Sequence, residues 1–83
     1  MVNKKLMEFF LNSDELLEAL SEVEHKQWMV LTSAIADTEK ISPERLARWK
    51  ESWVPYEELT EDNKDFDRTF ALSVINVLKR KLL

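Results

Sequence analysis

SDELLEALSEVEHKQWMVLTSAIA, residues 13–36, decides the fold. Ser13 is a natural helix N-cap, because its short side chain can accept a free backbone N–H of the first turn. Asp14 and Glu15 follow it, where the positive end of the helix dipole favours acids. Leu16, Leu17, Leu20, Val23, Trp28, Leu31 and Ile35 recur at helical spacing, while Glu15, Glu18, Glu22 and Lys26 take the wet side. The spacing predicts a helix over residues 14–36.

The same signals repeat on either side. Thr60 caps a last helix that begins with Glu61 and Asp62 and ends in Lys79, Arg80 and Lys81, matching the dipole at both ends. Phe66, Phe70, Val74, Val77 and Leu78 are its expected core face, and it runs to about residue 81. Between the two, residues 37–41 read as a loop. Ser42-Pro43-Glu44 is then a helix start, with a cap, a proline at the first helical position and an acid. This third helix is short, over about 43–52, with Leu46, Trp49 and Trp53 on one side. Pro55 pushes Val54 toward extended geometry, so residues 53–59 form a connector with room for one helical turn. Residues 1–11 carry Val2, Leu6, Phe9 and Phe10 at helical spacing and stop at Asn12-Ser13, where Asn tolerates left-handed backbone. Nothing alternates with period two. The expected fold is one all-α domain over 1–83, with three longer helices and one short. The second and fourth helices lie antiparallel as its main core.

Composition narrows the chemistry. The 83 residues are 45% apolar and 34% charged, with no Gly, no Cys and one His. No apolar run approaches the roughly 20 residues of a membrane helix. Without Gly there is no P-loop and no dinucleotide fingerprint. Without Cys there is no disulfide, thiol nucleophile or zinc–thiolate site. No catalytic triad, metal set or cofactor motif can be assembled, so a non-catalytic protein with no cofactor is expected. The net charge of −4 argues against a nucleic-acid partner. The N-terminal residues lack a secretory apolar segment, so the expected address is cytoplasmic. A chain this short hides only about 60–65% of its unfolded surface. A homo-oligomer is therefore expected, with residues 1–12 as its arm, because Val2, Leu6, Phe9 and Phe10 are too apolar for a free terminus.

Polar and aromatic residues on the apolar faces are the site candidates. Glu24 and Gln27 fall inside the arc of the second helix, and Asp67 lies in the middle of the arc of the fourth, with Arg68 at its edge. Arg is the best partner for a desolvated carboxylate, which suggests a Glu24–Arg68 bridge. Trp28, Trp49, Trp53 and Tyr56 come together if the third helix folds back on the second. They would form either core or a flat wall on which a ring can stack. His25 lies off the apolar arc, where a single His more often faces solvent or makes a hydrogen bond than catalyses.

Three segments resemble the ryanodine-receptor repeat (RyR) domain. His25-Lys26-Gln27-Trp28 resembles its opening His-x-x-Trp. Trp53-Val54-Pro55-Tyr56-Glu57-Glu58-Leu59 is similar to its Leu-Val-Pro-Tyr-x-x-Leu. Thr60 to Arg68 is similar to its acidic turn, Lys and Asp-Arg. The order matches, and the resemblance covers residues 24–78. The family's Gly-Trp-x-Tyr-Gly loop is missing and a helix takes its place, a form shared with short phage and prophage proteins. The resemblance implies a module for adenine-type nucleotides, and in a phage setting a sponge that sequesters a signalling nucleotide of host immunity. On that reading Trp28, Pro55, Tyr56, Lys64 and Arg68 are the matching positions, Trp49 replaces the loop Trp, and Arg45 and Arg48 are further phosphate candidates. Two other classes stay open: an interaction or inhibitor module using its Trp-rich face on a host protein, and a structural oligomer subunit.

Overall fold

The computed structural model describes residues 3–83. Helix α1 spans Lys4–Leu11, α2 Asp14–Thr38, α3 Pro43–Glu51 and α4 Glu61–Leu82, with a 3-10 turn at Tyr56–Glu58. No strand occurs among the described residues, so the domain is all-α. None of these helices is long and apolar enough to cross a membrane.

The helix starts are where their caps place them. The Ser13 hydroxyl accepts the Leu16 N–H at 3.2 Å, Ser42 that of Arg45 at 3.2 Å, and Thr60 that of Asn63 at 3.3 Å. Helix α1 begins after Asn3, whose side chain accepts the Lys5 N–H. The expected contribution of Val2 lies outside the described residues. Asn12 does not use left-handed backbone: its φ is −98°, and no described residue has a positive φ. The end of α1 is tied instead by side chains, with the Asn12 amide donating to the Glu8 carbonyl and the Ser13 hydroxyl to that of Phe10.

Helices α2 and α4 run antiparallel and make the principal contact of the fold. Later residues of α4 meet earlier residues of the chain: Asp67 pairs with His25, Arg68 with Glu18, and Lys79 with Asn12. The seam itself corrects the expected core face of α4. Phe66, Phe70, Val74 and Val77 are each at least 40% exposed, and Leu78 is half-buried. The buried row is Asp67, Ala71 and Ile75, one residue and so about 100° round the helix. On α2 the buried row is Ser21, His25 and Thr32, while Val23 and Leu31 are exposed. The cause is side-chain size. Ser21 and Ala71 are both fully hidden, and small residues at a helix crossing let two backbones approach where Phe and Leu would hold them apart. Leu11, Tyr56 and Leu59 complete the buried apolar set among the described residues. The resulting body is long and thin, 52 × 23 × 15 Å.

Candidate functional site

The centre of the α2–α4 seam is polar. His25 is 2% exposed and Asp67 4%. The His25 Nε2 lies 2.7 Å from the Val54 carbonyl. A carbonyl only accepts, so this nitrogen carries a proton and donates it. The other ring nitrogen, Nδ1, lies 3.4 Å from Asp67 Oδ2. Burial pushes the Asp67 carboxyl above its ordinary range, the His25 charge opposes this, and Glu24 adds to it. The Val-Pro-Tyr connector is thus pinned to α2 through the one histidine of the chain. His25, expected off the buried side, is at the middle of it, because the seam follows the small residues of α2 rather than its leucines.

The aromatic residues fasten α3 and the connector to α2. Trp49 meets Trp28 edge-on at 6.5 Å, and Trp28 stacks on His25 at 5.8 Å and 16°. Trp53 donates its indole N–H to the Thr32 hydroxyl at 2.8 Å, and that hydroxyl in turn donates to the Trp28 carbonyl. Arg45 lies over the Trp49 ring at 5.6 Å. Tyr56 is buried and donates to the Glu18 carboxylate.

Arg68 does not pair with Glu24. Its guanidinium binds Glu18 across the seam, and Glu61 and Asp65 on its own helix at 2.9 and 2.7 Å. The Glu24 expectation fails on register. Glu18 stands on α2 level with Arg68, and Glu24 is six residues, about 9 Å, further along the helix axis. Three carboxylates raise the Arg68 pKa further above its already high value. The hydrogen bond from Arg68, then that from Tyr56, holds the Glu18 carboxyl below its usual range. Lys64 lies over the Tyr56 ring at 5.5 Å and 3.7 Å from Glu61.

Burial first, then the bond to Glu18, pushes the Tyr56 phenol up to about 12. An acid whose folded pKa is raised stabilises the fold while it is protonated. The Tyr56 contribution is therefore whole below pH 10 and is lost as pH rises from 10 to 12. Tyr56 is the one tyrosine of the chain, so its titration reads directly in absorbance at 295 nm. A midpoint near 12 is expected, moving down in Glu18→Gln. A midpoint near 10 in folded protein would show that the ring is not held in this way.

A cavity of about 170 Å³ opens beside the His25–Asp67 pair, lined by His25, Trp28, Ser52, Leu59, Asn63, Phe66 and Asp67. A groove of about 280 Å³ adjoins it along α2 and α4, where Glu24, Gln27 and Leu31 lie opposite Phe66 and Phe70. Of the candidates singled out in the sequence, His25, Trp28 and Asp67 line the cavity, and Glu24, Gln27, Trp28 and Asp67 the groove. Trp49, Trp53, Tyr56, Lys64 and Arg68 line neither and act as struts behind them. Ser52, Leu59, Asn63 and Phe66 were not foreseen at a site, although Asp67 on an apolar arc was a signal for its centre. The described residues hold no cluster of acidic and histidine groups suited to a metal ion. No protein-family model, curated protein or solved structure matches the chain.

Proposed function

We propose that the domain is a non-catalytic binding module and that the cavity beside His25 and Asp67 takes one flat, nucleobase-like ring. The observation that carries this is the lining itself. Trp28, Phe66 and Leu59 offer apolar walls, and the Asp67 carboxyl and Asn63 amide offer the hydrogen bonds that a ring edge needs. The volume suits one ring system, since sites for whole drug-sized ligands run to roughly 300–1,000 Å³. The RyR-like segments supply the ligand class, an adenine-type nucleotide. Binding without turnover acts on a signalling nucleotide by sequestering it, as a phage sponge does.

Both cations at the positions that match the family's motif already have carboxylate partners. Arg68 is occupied by three carboxylates, and Lys64 stands beside Glu61. The ring, not the charge, then carries the affinity, and AMP binds no more tightly than adenosine. Thermal shift and Trp fluorescence with adenine, adenosine, AMP and a cyclic dinucleotide test this. A ligand selective for the folded chain raises its melting point. Trp28→Ala is expected to weaken adenosine about 5- to 150-fold, the equivalent of a base–aromatic stack worth roughly 1–3 kcal/mol. If none of the four moves either signal, the reading falls.

A further inference from the structure

We infer that a second copy of this chain covers the exposed apolar row of α4, so that α2 and α4 of two chains form a four-helix bundle. Phe66, Phe70, Val74 and Val77 follow one another at steps of four, four and three, the spacing of a helix-packing seam. All four are at least 40% exposed, and Leu31 of α2 continues the patch across the groove.

The chain as a whole exposes more surface than a compact monomer of its size, and this row is part of that surface. The chain exposes 6459 Å². A compact monomer of 9.9 kDa exposes roughly 5,200 Å². The excess of about 1,250 Å² is more than the roughly 800 Å² each partner hides in a standard interface. The radius of gyration of 16.0 Å likewise exceeds the roughly 12 Å of a compact domain of this length. One α2–α4 hairpin is half of a bundle, and an identical half supplies the same row.

Charge selects both the occupant and its direction. Helix α4 opens with Glu61 and Asp62 and closes with Lys79, Arg80 and Lys81. Two α4 helices packed antiparallel about a two-fold axis near residue 72 set Phe70 against the partner's Val74 and Phe66 against the partner's Val77. The same axis brings Lys81 to the end of the partner's helix that holds Asp62. A parallel pair would set like charges together. Self-complementarity of this kind is what a two-fold interface requires. The α1 helix is not part of it. It packs on the other side of α4, where Leu11 lies beside Leu72, Ile75 and Lys79, which separates this interface from the N-terminal arm expected from the sequence. The row shares Phe66 with the lining of the His25 cavity, and its test is placed on Phe70 and Val74, which lie outside that lining.

Sedimentation equilibrium of the full chain from 5 to 200 µM is the test. A dimer is expected for the wild type. Phe70→Glu and Val74→Glu should each raise its dissociation constant roughly 30-fold or more with unchanged helical circular dichroism, and Phe9→Glu on α1 should not. Lys81→Glu at the exposed end of α4 should weaken the dimer, and adding Asp62→Lys should restore it, although each change opposes the helix dipole. A wild type that stays monomeric over the whole range overturns the inference and leaves the row to a different protein. So does a dimer broken by Phe9→Glu and indifferent to Phe70→Glu and to the charge exchange.

Discussion

His25→Ala is expected to lower the unfolding free energy by about 3–5 kcal/mol, the usual cost of breaking a buried pair from one side. Two groups lose their partner at once. Asp67, 4% exposed, loses the imidazole that faces it at 3.4 Å. The Val54 carbonyl loses the only side-chain donor that reaches it among the described residues, which frees the connector from α2. Since His25 lowers the Asp67 pKa and burial raises it, the variant leaves burial unopposed. A carboxyl with a raised folded pKa favours the fold only while protonated, so the stability of the variant should fall as pH rises through the carboxylate range and recover in acid. Denaturant unfolding at pH 4 and pH 7 reads both effects. A loss under about 1 kcal/mol at pH 7 would show that the pair is incidental. The double variant His25→Leu with Asp67→Leu separates charge from space. Replacing a buried pair by apolar groups is often neutral or better, so most of the loss should return while the Val54 anchor does not.

Helix starts were legible because a cap acts within four residues. Ser13, Ser42 and Thr60 each bond a backbone N–H three residues on, and nothing distant competes. The seam was not legible, because hydrophobicity on one helix says which side avoids water but not which neighbour covers it. On α4 the apolar arc has Asp67 at its middle, and the intrachain seam takes only one half of it, through Asp67, Ala71 and Ile75, leaving Phe66, Phe70 and Val74 exposed. Asp67 on an apolar side is an anomaly in the sequence and becomes intelligible only with His25, 42 positions earlier. Arg68 drew attention for the right reason, as a cation at a buried edge. Its partner depended on the level at which α4 passes α2, and no local pattern encodes that. The aromatic cluster was foreseen as a group, but its role turned on hydrogen bonds such as Trp53 to Thr32. That bond makes Trp53 a strut rather than a pocket wall.

Ile75→Ala should cost about 2–5 kcal/mol, the range for removing a fully packed aliphatic side chain. Ile75 is 2% exposed and is one of the few large side chains wholly inside the fold. It fills the seam where Leu11, Leu17 and Leu72 converge, so the cavity it leaves is enclosed by three elements and cannot collapse without moving α1. The informative comparison is its neighbour. Val74 is 40% exposed in the single chain, and Val74→Ala there should cost under about 1 kcal/mol, as for a surface change. The two losses should differ in their dependence on protein concentration. The Ile75 loss belongs to the folded monomer and is the same in dilute and concentrated solution. The Val74 loss should grow with concentration, because binding of a second copy stabilises the fold by mass action, and the truncated side chain weakens that binding. Equal and constant losses at both positions would mean that Val74, not Ile75 alone, faces α2, and the seam described for α4 would be turned back by one residue.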